Sequence, residues 1–141
     1  MQVDLERREQ EFRTLAENIP DVIARFDRAF RYIYVNPAVE KIAGIPAEEF
    51  LGRSGRELDL PQDLVLTWHA KLGEVFASGR GENLEFGFPG PNGERYLQAR
   101  FEPEPGGETV LVVVRDLTEI KQVEREVVRL ERLRALGRAK P

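Results

Sequence analysis

One histidine and no cysteine limit what this chain of 141 residues can do chemically. Without a thiol there is no disulfide, no thiolate metal site, no cysteine nucleophile and no thiol adduct to a flavin. His69 is then the one side chain from which a histidine-based catalytic pair or a haem iron bond can be built. It lies in a predicted helix over residues 62–78 whose apolar stripe is Leu64, Trp68, Leu72, Val75 and Phe76. His69 falls at the border of that stripe, the position of a half-buried histidine rather than of a ligand aimed at a pocket centre. Trp68, inside the stripe, reads as core. Paired carboxylates occur as Glu48 with Glu49 and Glu102 with Glu104, and no base, nucleophile or metal-ligand spacing accompanies them, so they read as solvated surface. The stretches Gly79-Arg80-Gly81 and Gly90-Pro91-Asn92-Gly93 lack the strand, loop and helix context of a phosphate cradle and read as turns.

Composition agrees with this absence of a catalytic constellation. With 41% hydrophobic, 33% charged and 9% aromatic residues, the chain suits one compact binding-sized domain. The net charge is −4. Acidic residues outnumber basic ones over 20–116, a poor nucleic-acid surface. Basic residues prevail over 117–141, but there Arg and Glu interleave at helical spacing, as on a solvated helix face. No apolar run approaches the roughly 18 residues of a membrane-spanning helix, and the opening residues alternate in charge rather than forming a secretory leader. A cytoplasmic location, with no membrane contact by this segment, is the expectation.

Three kinds of element must hold the residues above. Residues 3–18 form a charged amphipathic helix with Leu5, Phe12 and Ile19 seven apart and Leu15 between them, stopped by Pro20. Residues 117–138 form a second, with Ile120, Val123, Val127 and Leu130 at the three-four-three spacing of a coiled-coil seam; Leu133 and Leu136 then continue by threes, so that either the seam rotates there, as in a stammer, or the helix changes partners. Between the helices the period is two. Residues 22–26 and 32–35 read as a hairpin through Asp27 to Arg31. Asn36 is expected to N-cap a short helix with Pro37 at its first position and Gly44 closing it. Short helical pieces at 47–51 and 55–58 precede the long helix, which Gly79 ends. Leu84, Phe86 and Phe88, then Leu97, Ala99 and Phe101, alternate with polar residues around a Pro91-Asn92-Gly93 turn. After Pro105-Gly106-Gly107, Val110 to Arg115 is apolar on both faces, as in a strand covered on both sides. The predicted fold is α+β: a five-stranded antiparallel sheet with helices inserted after the second strand, flanked by N- and C-terminal amphipathic helices. The expected divisions are 1–19, 20–116 and 117–141.

These residues carry a resemblance. Tyr32-Ile33-Tyr34-Val35-Asn36-Pro37-Ala38-Val39-Glu40 and Gly44-Ile45-Pro46-Ala47-Glu48-Glu49-Phe50-Leu51-Gly52, the long helix ending at Gly79, the three strands and Arg115-Asp116-Leu117-Thr118-Glu119 resemble the PAS sensor family across almost the whole chain. The resemblance implies a cavity between the inner sheet face and the inserted helices, with Ile23, Val35, Ile42, Trp68, Leu72, Phe86, Leu97 and Val112 as its expected lining. It also implies a relay through Arg115, Asp116, Thr118 and Glu119, where the Asp-Leu-Thr unit is similar to the family's Asp-Ile-Thr junction between last strand and output helix. Physically, Asp116 is expected to N-cap that helix, with Glu119 completing a capping-box pair. Haem-binding relatives take their iron ligand from the long helix one place earlier, where this chain has Trp68. His69 is therefore not expected to bind haem, and no metal site is expected. No cofactor is expected; haem and noncovalent flavin stay open as alternatives, as does a small-molecule ligand.

Leu130 to Gly137 is similar to the opening of the dimerisation helix of bacterial sensor histidine kinases, without the phosphorylated histidine or an ATP-binding domain. The combined expectation is a non-enzymatic sensory module that forms a homodimer through Leu5, Phe12, Leu15, Ile19, Ile120, Val123, Val127 and Leu130. It would pass a signal to a C-terminal effector, foremost a histidine kinase, in a longer parent chain. The outer sheet face, with Tyr96, Leu111 and Val113, should bury against the N-terminal helix or a second subunit. The competing readings are a haem gas sensor through His69, a small enzyme with a hydrophobic pocket, which would need convergent polar groups that the sequence does not display, and a ligand-free structural dimeriser whose core Trp68, Phe86 and Phe88 fill.

Overall fold

Alternation along five short segments builds the sheet, and the helices close one of its faces. The structure, a computed structural model, describes residues 2–17 and 19–139. Helix α1 (Gln2–Glu17) leads into the hairpin of β1 (Val22–Asp27) and β2 (Tyr32–Val35). Helix α2 (Val39–Ala43), a 3-10 turn (Ala47–Phe50) and helix α3 (Gln62–Ser78) follow. Strands β3 (Glu82–Gly90), β4 (Gly93–Pro103) and β5 (Thr109–Asp116) then lead into α4 (Thr118–Ala139). The strand order is β2-β1-β5-β4-β3, and every neighbouring pair is antiparallel. This is the α+β architecture the alternation predicts. Met1, Asn18, Lys140 and Pro141, which the expected terminal segments include, lie outside the described residues.

The inner face is set by parity. Val22, Ala24 and Phe26 on β1, Leu97, Ala99 and Phe101 on β4, and Val110, Val112 and Val114 on β5 pack with Leu72 and Val75 of α3 and with Phe50 in one core. Phe26, Phe50 and Phe101 are each almost completely buried, which stabilises the fold by roughly 2–3 kcal/mol per ring. Tyr32 and Val35 both belong to this core although three residues apart, because a bulge opposite Arg25 and Phe26 shifts the pairing of β2. Helices α2 and α3 stop at Gly44 and Gly79, whose φ of 74° and 70° lets their amides turn back to the Glu40 and Val75 carbonyls.

Three local expectations need correction. Asn36 does not cap α2, whose N-cap residue is Ala38, with no side-chain capping bond. Instead the Asn36 side chain is fully buried, accepting from the Ile23 amide at 2.9 Å and donating to the Asp21 carbonyl at 2.9 Å. It is spent on tying β1 to the end of β2. Residues 55–58 form successive turns rather than a helix, ending at Asp59 with a left-handed φ of 57°. Finally, β5 is fully covered on its inner face only; Leu111 and Val113 on the outer face are half-buried.

Helix α1 lies over that outer face near β2. The Phe12 ring sits 5.8 Å from the ring of Tyr34 and 5.9 Å from the Arg25 guanidinium. Arg25 in turn holds Glu104 through two hydrogen bonds of 2.9 and 3.0 Å, a bidentate fork that raises the arginine's already high pKa.

Candidate functional site

The space between the inner sheet face and α2, the 3-10 turn and α3 contains a cavity of about 80 Å³. Its walls are aliphatic and aromatic: Val22, Tyr32, Phe50, Val65, Phe88 and Val114 surround it, together with Ile42, Trp68, Phe86 and Leu97 from the expected set. Val35, Leu72 and Val112 are core residues beside it but do not line it. Ile23 is a correction of a different kind. It shares parity with Arg25 and Asp27, so its side chain lies on the outer face, and Val22 takes the place expected for it. The signal was present in the sequence, since two polar residues mark the solvent-side parity of β1. Phe50 was missed because a 3-10 turn has no period from which to predict its inward residue.

Trp68 is the centre of the site. Its indole meets Phe101 at 4.9 Å, Phe86 at 5.5 Å and Phe26 at 6.1 Å between ring centroids, each in an edge-on arrangement. Position 68 faces the sheet because α3 turns its Trp68, Leu72, Val75 and Phe76 stripe inward. The indole Nε1 is buried and makes no hydrogen bond among the described residues. His69, next along the helix, also reaches the cavity wall and packs on the Phe30 ring at 5.1 Å. Burial, reinforced by the nearby Arg56 charge, lowers the His69 pKa, so the ring is neutral at pH 7. Burial likewise pushes the Tyr32 phenol above its ordinary range. No Asp, Glu, Lys or Arg among the described residues lines the cavity.

These residues do not fit a porphyrin or an isoalloxazine ring. Sites for ligands of that size span roughly 300–1,000 Å³, against about 80 Å³ here. No group of acidic or histidine side chains among the described residues has the arrangement of a metal site.

A second constellation joins the sheet to α4. The Leu117 amide donates to the Tyr96 carbonyl at 2.8 Å, and the Tyr96 amide donates to the Thr118 hydroxyl at 3.0 Å. The Thr118 amide donates to Asp116 Oδ1 at 2.9 Å, and its hydroxyl donates to the same oxygen. Arg95 on β4 approaches the other oxygen of Asp116 at 3.6 Å, and Arg115 reaches Asp21 at 3.5 Å. The first helical bond, from the Lys121 amide, goes to the Leu117 carbonyl at 2.9 Å. Leu117, not Asp116, is thus in the cap position, and Asp116 acts from one residue earlier. The Glu119 side chain makes no hydrogen bond or ion pair among the described residues, so the expected capping box is not formed. Lys121 adds its ammonium 4.9 Å above the Tyr96 ring. Beyond this anchor the seam positions Ile120, Val123, Val127 and Leu130 are 48–63% exposed. At the other end Leu5 and Leu15 are well exposed and Ile19 less so, whereas Phe12 is spent on Tyr34 and Arg25.

Among the described residues no helix is long and apolar enough to cross a membrane. A family model described as the PAS fold matches residues 16–122. The methanogenesis regulatory histidine kinase FilI of Methanothrix harundinacea is 29% identical over 139 residues, covering 89% of this chain. This chain spans only 14% of that relative's length. Among solved structures, a domain of a sensory box sensor histidine kinase/response regulator from Geobacter sulfurreducens superposes with a TM-score of 0.64. It is 25% identical, covering 79% of this chain and 96% of that one. A phage VqmA–DPO complex superposes with a TM-score of 0.71 at 21% identity, covering 89% of this chain and 60% of that one.

Proposed function

Because the chain belongs to the PAS fold family and is a sensory domain, we propose that it works as a dimeric input module whose α4 carries its state to a C-terminal effector, a histidine kinase. The observation that carries this reading is the pair of hydrogen bonds between Tyr96 and the start of α4, one to Leu117 and one to Thr118. A shift of β4 must either move the helix or break both contacts. A helix held this way, with an unpartnered apolar seam, is suited to turn a small strand displacement into rotation of a paired coiled coil. The module itself performs no chemistry; phosphorylation is the effector's work.

Kinase as effector is supported by the FilI relative and by the Geobacter sensor kinase domain, both similar to this chain over most of its length. The test is a fusion of the full chain, through α4 in continuous heptad register, to a histidine kinase catalytic region. Thr118→Val should change autophosphorylation several-fold and Thr118→Ser should not. Equal activity of the two fusions, with both proteins dimeric, would contradict the relay.

A further inference from the structure

Resting on the reading of α4 as a paired output helix, we infer that its pairing with a second copy is opposed by the helix's own carboxylates, so that the coil is a weak seam that ionic screening tightens and a cation on its flank would lock. The heptad places the charges. With Ile120 and Val127 at a and Val123 and Leu130 at d, the positions beside the seam are Glu124 and Glu131 at e and Glu119 and Glu126 at g. All four are glutamate. In a parallel pair each g side chain lies against the e side chain of the following heptad in the other helix. Glu119 then meets Glu124 of the partner subunit, Glu126 meets Glu131 of the partner subunit, and two-fold symmetry doubles both contacts. An antiparallel pair sets e against e and g against g, again carboxylate on carboxylate.

The cations of α4 do not relieve this. Lys121, Arg125, Arg129 and Arg132 fall at b, c and f, on the side away from the seam, where they gather in a groove beside Tyr96. Lys121 holds Glu124 at 3.5 Å and Arg129 holds Glu126 at 2.7 Å, each from within the same helix. Ion pairs this exposed contribute little and leave the carboxylates beside the seam. Glu119 and Glu131 make no ion pair among the described residues. Helix α1 brings no counter-charge either: with Leu5 and Phe12 at a, Glu9 takes an e position and Glu11 a g position. Attraction between the apolar seam residues is thus set against repulsion along both flanks. A pair balanced in this way responds to a small push, such as a strand displacement delivered through the Tyr96–Thr118 contact.

The experiment measures the dimer dissociation constant of the full chain by sedimentation equilibrium at about 0.1 M and about 1 M sodium chloride, between which the screening length falls from about 10 Å to about 3 Å. Glu131→Gln removes the contacts with Glu126 without breaking an ion pair. Glu131→Lys sets a cation against Glu126 of the partner subunit. Glu48→Gln changes the net charge as Glu131→Gln does, but on the exposed 3-10 turn. The wild type is expected to dimerise about threefold more tightly at the higher salt. At the lower salt, Glu131→Gln should tighten the dimer about threefold and Glu131→Lys about tenfold, the steps that weak surface contacts make. Both should respond less to salt than the wild type does. Glu48→Gln should leave the constant where it is.

A dimer that loosens with salt, or that neither substitution at 131 tightens, overturns the inference. So does a Glu48→Gln variant that tightens as much as Glu131→Gln, because the effect would then belong to net charge and not to the seam. Residue 131 is exposed, so its variants keep the fold. A chain that is monomeric as wild type and dimeric as Glu131→Lys upholds the inference. A chain monomeric in every variant and at both salts overturns the inference together with the paired helix of the proposed function, whereas an intact dimer indifferent to residue 131 removes the inference alone.

Discussion

Tyr96 and Thr118 hold each other from two elements: the amide of the strand residue donates to the hydroxyl of the helix residue at 3.0 Å. The carbonyl of Tyr96 meanwhile accepts the amide of Leu117 at 2.8 Å. Thr118→Val keeps the side-chain shape and removes the acceptor, leaving a part-buried amide unpaired. It should cost about 1–2 kcal/mol, read as a lowered urea midpoint together with faster hydrogen exchange at the Tyr96 amide. Thr118→Ser should behave as wild type. A protected Tyr96 amide in the valine variant would show that the hydroxyl is not what holds it.

Asp116 organises the same turn by accepting the Thr118 amide and hydroxyl. Asp116→Ala should destabilise by about 1 kcal/mol, the usual loss when a helix start gives up its side-chain acceptor. Asp116→Asn keeps an amide oxygen for Thr118 and loses the charge facing Arg95. That ion pair is 3.6 Å long and partly exposed, worth at most about 1 kcal/mol. The asparagine variant is therefore expected to melt between wild type and the alanine variant. Equal melting of the two variants would move the weight from the hydrogen bonds to the charge.

Asn36 should be the most sensitive polar residue of the fold. Its amide satisfies the Ile23 N–H and the Asp21 C=O where no water reaches it. Asn36→Ala strands both groups and should cost about 3 kcal/mol. Asn36→Asp keeps the acceptor but loses the donor and buries a charge, so it should be no better. Chemical denaturation of the two variants checks this, and a loss under about 1 kcal/mol in the alanine variant would mean that the clamp is not structural.

His69 gives the stability a pH dependence of defined sign. Its pKa in the fold is lowered from 6.5 by burial and by Arg56, so below neutrality the unfolded chain binds the proton more readily than the folded one. Stability is therefore lost as pH falls through 6.5 and below, and this component is absent above about pH 7.5. His69→Gln should narrow the gap between urea midpoints measured at pH 7.5 and pH 5.5. An unchanged gap would assign the acid sensitivity to other groups.

The sequence displayed most of the fold because each strand alternates cleanly and each long helix has one apolar stripe. The α3 stripe placed Trp68 and Leu72 inward, and the glycines at 44 and 79 marked helix ends that the structure shows as left-handed. What remained hidden depended on contacts distant in the chain. Whether Asn36 caps its own helix or reaches back to Ile23 is decided by β1, thirteen residues earlier. The bulge that turns both Tyr32 and Val35 inward arises between two strands and leaves no mark on either one alone. At the junction, Asp116 and Thr118 were legible as a helix start, but Arg95 and Tyr96, their partners on β4, were not.

The most direct measurement of the account is cross-linking through α4. The chain has no cysteine of its own, so single-cysteine variants are read without background. Val123→Cys and Val127→Cys place thiols on the seam, whereas Arg125→Cys places one on the opposite face of the helix. A parallel dimer predicts that both seam variants form disulfide-linked dimers in high yield under mild oxidation and that the residue 125 variant does not. Two self-linking positions four residues apart require parallel helices in register, since an antiparallel pair brings a residue beside its own copy only near the axis. No linkage at either seam position, or equal linkage at 125, would contradict the paired output helix on which the proposed relay depends.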